Sequence, residues 1–322
     1  MLQAREASIR IRVMDEKSQI HALNGQFGVP GLVEVVSGNG GLPMVKVTTH
    51  LATAEIYLHG AQVTAWRPAG HDEVLFLSKQ SRWEEGRAIR GGIPICFPWF
   101  RSLGLRGEAD DAQAPAHGVV RTRAWRLDAI AAEEDGAAVV ICSTESDEAT
   151  RRWWPGEFHL LHRITVGRTL RTELIAKNTG SAPFRFEEAL HTYFRVGAVE
   201  GARVRGLDGS GYLDNTDGNR AKVQQGDVVF EAAIDNAYLH ADGALELVDP
   251  ALHRTLRTDK ENSSTTVVWN PWQTAAAALA DLGDDEWKQF ACVEASNVLG
   301  AAVTLEPGEE HILRATLSVL PV

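Results

Sequence analysis

Two segments far apart in the chain each set one proton-transfer residue inside an apolar, strand-like run. The first is Phe186-Glu187-Glu188-Ala189-Leu190-His191-Thr192-Tyr193-Phe194, and the second is Cys292-Val293-Glu294-Ala295-Ser296-Asn297. The ordinary pKa of histidine lies nearest neutrality, so His191 can give and take a proton at physiological pH. Glutamate is rarely buried alone, and burial of Glu294 would raise its carboxyl towards the range useful for a base. Brought together across a cleft, the two make an acid and a base for one substrate. Taken singly, each has a plainer reading, as a packed histidine and as a solvated glutamate on an edge strand. Glu187 lies four residues before His191, so in an extended strand the two share a face. That makes Glu187 a candidate for orienting the imidazole.

A second signal is cationic. From Arg82 to Arg126 the chain carries eight arginines and no lysine: Arg82, Arg87, Arg90, Arg101, Arg106, Arg121, Arg123 and Arg126. The planar guanidinium fork suits phosphate oxygens bidentately. Within this stretch Arg90-Gly91-Gly92-Ile93-Pro94 stands out, because paired glycines permit positive φ or close approach of backbone to a ligand. The net charge of −11 offers no basic face for nucleic acid. It also gives an anionic substrate no global attraction, so a phosphate site must be a local cluster.

The elements that would position these residues are short strands. Val45 to Thr49, Ala54 to Leu58, Arg163 to Val166, Leu170 to Ala176 and His311 to Leu317 alternate with period two. Turn signals recur about every 8–15 residues, which suits an all-β sandwich or barrel better than a βαβ fold. Helical signals are few: Ala275 to Leu282, and a turn at Asp147 to Arg152. No glycine-rich phosphate loop follows a strand, so a dinucleotide or P-loop site is not supported. Gly25 to Pro43 reads as a separator between an N-terminal arm (1–40) and a single domain (41–322). Such an arm would pair with a sheet edge or cap it. Leu103 to Pro115 reads as an acidic surface loop. Cys96, Cys142 and Cys292 are odd in number, far apart and set in apolar runs, so three reduced core thiols are expected. No apolar run reaches the ~20 residues of a membrane helix, and the N-terminal residues lack a secretory apolar core. A cytoplasmic location, without membrane or nucleic-acid partners, is the expectation.

As blocks, ALHTYF and CVEASN resemble the hexose-6-phosphate mutarotases, the glucose-6-phosphate 1-epimerase branch of the aldose 1-epimerase superfamily. RGGIP with the following Phe97-Pro98-Trp99-Phe100 is similar too, as is His117-Gly118-Val119-Val120-Arg121. The resemblance runs from about residue 45 to the C-terminus. It implies a large antiparallel β-sandwich of the galactose mutarotase-like (supersandwich) type, with His191 and Glu294 as the catalytic pair. It implies that Arg90 and Arg121 hold a phosphate, with Arg87 as a further candidate, and that His117 contacts sugar hydroxyls. Tyr212-Leu213-Asp214 resembles a segment that supplies Asp214 to the sugar-binding floor, although Asp214 to Gly218 by itself reads as a turn. Trp269-Asn270-Pro271-Trp272 also matches and is assigned no chemical role.

The implied reaction interconverts the α and β anomers of a hexose 6-phosphate, glucose 6-phosphate first among them. It needs no metal or cofactor, and a monomer is expected. Departures cluster on the expected phosphate side. Arg101 follows FPWF where the family continues with glycine, and valine follows the glycine of HGVVR. Other readings are an epimerase for free hexoses, a glycoside hydrolase, which would want two carboxylates, and a non-catalytic carbohydrate-binding domain.

Overall fold

The computed structural model describes residues 16–103 and 114–321. Its strands pair antiparallel throughout the two large sheets, one of nine strands and one of eight, beside a smaller four-stranded sheet. The nine-stranded sheet centres on Glu310–Pro321, which pairs with Arg254–Glu261 on one side and Leu170–Asn178 on the other. The eight-stranded sheet centres on Thr265–Asn270 and Phe290–Asn297. Side chains from both sheets share one core. Val140, Leu160, Leu174 and Leu313 come from the larger sheet, and Tyr238, Val268, Val293 and Ala295 from the other. The fold is therefore the all-β sandwich that the alternating runs predict. All five of those runs lie within or largely overlap strands: Pro43–Thr48, Ala52–Tyr57, Phe158–Val166, Leu170–Asn178 and Glu310–Pro321.

The turn expected at Asp147 to Arg152 is present, whereas the helix near Ala275 to Leu282 lies upstream of the expected segment and shares only Ala275 and Ala276 with it. Glu148–Arg151 is a single turn, capped by Asp147 and Thr150 in a reciprocal capping box. Trp272–Ala276 replaces the longer alanine-rich segment and ends before Leu282. Propensity alone does not extend a helix that has no long apolar face to bury. One helix, Glu16–Phe27, falls in the segment read as an arm. Its Leu23 and Phe27, four apart, pack on the main core. Asn24 accepts a 2.7 Å bond from the Val35 amide. Val33–Ser37 pairs with Pro43–Thr48 at the edge of the four-stranded sheet. The stretch read as a separator thus contains a paired strand, and the 40/41 boundary falls between two neighbouring strands. Among the described residues no helix is long and apolar enough to cross a membrane.

All three cysteines are buried and free. Burial raises each thiol pKa, that of Cys142 to about 12. They are inert core groups, as their apolar settings suggest.

Candidate active site

Strand Phe290–Asn297 is buried along its whole length and serves as the ruler for the site. Two short strands from the ALHTYF segment pair with it end to end. Glu188–Leu190 registers with residues 295 to 297, and Tyr193–Arg195 with residues 290 to 292. The two residues between them, His191 and Thr192, are left opposite Val293 and Glu294. The Val293 amide donates to the Thr192 carbonyl at 3.2 Å, and the His191 amide is held by the Pro94 carbonyl at 3.0 Å. A break in one strand thus sets the imidazole against the carboxylate of its neighbour.

The Nδ1 of His191 lies 3.2 Å from Oε1 of Glu294. The contact lacks hydrogen-bond alignment: Nδ1 and both Glu294 oxygens are buried without a hydrogen-bond partner. Buried polar groups are nearly always satisfied, so three unsatisfied atoms converging on one cavity mark a place for a ligand. Burial raises the Glu294 pKa well above its ordinary value. Asp235 adds to that, while Arg101 and Arg121 oppose it. Burial lowers His191 well below its ordinary value, and Arg121 and Arg90 push it further. Burial thus favours a neutral imidazole beside a protonated carboxyl. The ion pair of carboxylate and imidazolium holds the same number of protons, so one transfer between the partners separates the two states.

The cavity has a volume of about 270 Å³. Its lining includes His191, Glu294, His117, Arg90, Arg121, Arg101, Asp235 and Trp269. The His191 ring stacks on Tyr193 at 4.8 Å between centroids and 10° between planes, and Trp269 meets its edge at 5.9 Å. These aromatics lock the imidazole orientation. Arg90 is placed by the glycines that follow it. Both have positive φ, and a Cβ on Gly91 or Gly92 would stand 2.3 Å or 2.2 Å from a backbone oxygen of Phe76 or Val63. They serve backbone-to-backbone packing. The Arg90 guanidinium grips both Asp281 carboxylate oxygens at 3.0 Å and donates to the Tyr193 hydroxyl at 3.0 Å. Arg121 differs. Its Nε is buried without a partner, and no ion pair to it is found among the described residues. Burial lowers its pKa. A partly buried cation without an ion pair calls for an anion.

His117, at φ 62°, accepts from the Arg101 amide on Nδ1 at 3.3 Å. Burial, together with Arg121 and His191, holds its pKa well below the ordinary value. A neutral ring that accepts on Nδ1 carries its hydrogen on Nε2, so His117 is a donor.

Three candidates lie elsewhere. Arg87 is exposed and outside the cavity lining. Asp214 spends its carboxylate on Lys222 Nζ at 2.7 Å and on the amide and hydroxyl of Thr216, so it closes the turn that its own sequence predicts. Glu187 does not orient His191. Its two oxygens accept from the amides of Phe100 at 2.9 Å and Leu299 at 2.8 Å, pinning two loops instead. Residues that sequence reasoning passed over are Asp235, Asp281 and Tyr193. Tyr193 lies in the ALHTYF block, two residues after His191, but drew no role there, whereas Asp235 and Asp281 are ordinary in their local sequence and reach the site only through strand pairing and loop return. The one cluster of potential metal ligands among the described residues is His191, Cys292 and Glu294, with donor atoms within 4.8 Å of one another. The raised Cys292 thiol opposes metal binding there.

Comparison with known proteins agrees with this geometry. Residues 43–318 match the family described as Aldose 1-epimerase. A relative from Cenchrus ciliaris, named "Putative glucose-6-phosphate 1-epimerase", is 37% identical over 277 residues, which is 83% of this chain and 82% of the relative. A Salmonella typhimurium protein of the same name is 35% identical over 254 residues, covering 79% of this chain and 82% of its own. The crystal structure of a "putative mutarotase (YeaD)" from Salmonella typhimurium superposes with a TM-score of 0.83 at 30% identity. The match covers 94% of this chain and all of that one.

Proposed function

Because the chain belongs to the aldose 1-epimerase family, we propose that it interconverts the α and β anomers of a hexose 6-phosphate, glucose 6-phosphate first, with Glu294 and His191 as the acid–base pair. The enzyme is an isomerase. The observation that carries the residue assignment is the 3.2 Å approach of two buried, unsatisfied proton-transfer groups at the wall of one cavity.

In the forward step the Glu294 carboxylate takes the proton from the C1 hydroxyl. The C1–O1 bond becomes a carbonyl, the C1–O5 bond breaks, and imidazolium His191 donates its proton to O5. The pair is then left in the neutral form that burial favours. Rotation about C1–C2 turns the other carbonyl face to O5. His191 now removes the O5 proton, O5 closes on C1, and Glu294 returns a proton to O1. No net proton or electron is exchanged. Each acid–base contribution is typically ~10²–10⁴-fold.

The phosphate anchors the substrate away from the reacting carbon. Arg121 is free to accept it, and Arg90 can join by sharing its fork with Asp281. Binding a dianion there also neutralises the two cations that hold the His191 pKa down. The substrate therefore helps to charge its own acid. Neutral His117 donates to a sugar oxygen, and Trp269 offers a ring edge beside it. A cytoplasmic site of action fits this substrate, which is an intracellular class of metabolite. The test is anomeric exchange at equilibrium on glucose 6-phosphate and on free glucose. Acceleration restricted to the free sugar would remove the phosphate role of Arg121 and Arg90.

A further inference from the structure

Arg101 occupies the left-handed region at φ 59°, which a residue with a side chain adopts at a cost. It does so in the cavity wall, and both of its ends are used. Its carbonyl accepts from the His117 amide at 2.6 Å, and its amide donates to His117 Nδ1. Its guanidinium forms an ion pair with Asp235, whose other oxygen accepts from Asn215 Nδ2 at 2.6 Å. Asp235 and Glu294 line the same cavity.

Two carboxylates in one cavity disfavour each other's ionisation. We propose that Arg101 is a positioning residue for the reaction: by clamping Asp235 at the cavity wall it shields Glu294 from a second negative charge and fixes the donor face of His117. This rests on the reading of Glu294 as the base. The titratable and charged groups around Glu294 are His191, Cys292, Cys96, Arg121, Asp235 and Arg101. The two thiols stay protonated. His191 is the proton partner, and Arg121 faces the phosphate. The balance that remains is between Asp235, which raises the Glu294 pKa, and Arg101, which lowers it.

The test is the pH profile of exchange on glucose 6-phosphate for the intact enzyme, Arg101→Gly, Asp235→Asn and the double variant. Glycine takes the left-handed conformation freely, so Arg101→Gly removes the clamp without straining the fold. It leaves Asp235 uncompensated, and the acidic limb of the profile moves to higher pH. Asp235→Asn leaves Arg101 uncompensated, and the limb moves to lower pH. The double variant returns towards the intact profile, and Arg101→Lys stays near it. Below the limb, each unit of displacement changes the rate about tenfold. Limbs that stay put, or move the same way in both single variants, overturn the proposal. Glu294→Gln is measured alongside. Exchange surviving in it removes the base assignment and this proposal together. Exchange lost in it, with no opposed shifts, removes the role of Arg101 alone.

Discussion

Replacing Arg121 by methionine separates a substrate-binding cation from a structural one. Arg121 has a buried Nε without a hydrogen-bond partner and no ion pair among the described residues. Among the described residues its removal therefore breaks no side-chain bond, and it relieves the desolvation of a partly buried charge. The variant is expected to melt at the same temperature as the intact enzyme or above it. The loss falls on the substrate. Hydrogen bonds to charged groups contribute ~1.5–3 kcal/mol, and 1.4 kcal/mol is a factor of about ten. KM for glucose 6-phosphate should rise about 10–100-fold, with a smaller change in kcat. Arg90→Met makes the contrast. It strips Asp281 of a bidentate partner and Tyr193 of a donor, so it should lower stability as well as affinity. The assay is two-dimensional exchange NMR over a range of substrate concentration, with thermal melts in the presence and absence of inorganic phosphate. Phosphate should raise the melting temperature of the intact enzyme and leave that of Arg121→Met unmoved. A destabilised Arg121→Met with an unchanged KM would make Arg121 a structural residue and not a phosphate ligand.

Three further outcomes follow from other parts of the structure. Asp281→Asn removes the anion that competes with substrate for Arg90, so KM for glucose 6-phosphate should fall several-fold; a rise would mean that Asp281 chiefly holds Arg90 in place. Gly118 has φ +84°, and a Cβ there would stand 1.9 Å from the Phe97 carbonyl oxygen; Gly118→Ala should cost about 3 kcal/mol or more in urea unfolding, and a loss below 1 kcal/mol would show that the loop yields. Burial pulls the His311 pKa down, but its hydrogen bond to Glu188 and their opposite charges outweigh that, so the folded-state value is raised. A raised value stabilises fully below the unfolded-state pKa, and the contribution is lost as pH rises through the folded one. Stability of the intact protein should therefore decline above about pH 6.5, and His311→Gln, followed by denaturant melts across that range, should show a flatter dependence.

The legible part of this protein in its sequence is what local pattern encodes. Period-two alternation located the strands, and the ALHTYF and CVEASN blocks named the two residues that the strand register sets face to face. Arg90, His117 and Arg121 were visible because each sits in a compact block with glycine neighbours. Asp214 and Arg87 were chosen by resemblance to family segments, and their side chains turn to a local turn and to solvent. Asp235 was invisible because its role depends on a cross-strand neighbour, Trp269, and on Arg101 reaching it from 134 residues away. Asp281 lies in a loop after a short helix, and nothing in its own segment points to Arg90. Helix Glu16–Phe27 carries apolar residues at Ile20, Leu23 and Phe27, but most of its residues are polar, and its place is fixed by packing on the core and by Asn24 on Val35. Long-range pairing decides such cases, and local propensity does not carry it.

If His191 and Glu294 move the protons on a hexose 6-phosphate, the exchange depends on both. The direct measurement is α/β exchange on glucose 6-phosphate at equilibrium, with the intact enzyme beside His191→Ala and Glu294→Gln, each shown by its melt to be folded. Acceleration over the buffer rate is expected from the intact enzyme and is lost in both variants. Acceleration that persists in either folded variant, or none with the intact enzyme, would remove His191 and Glu294 from that role.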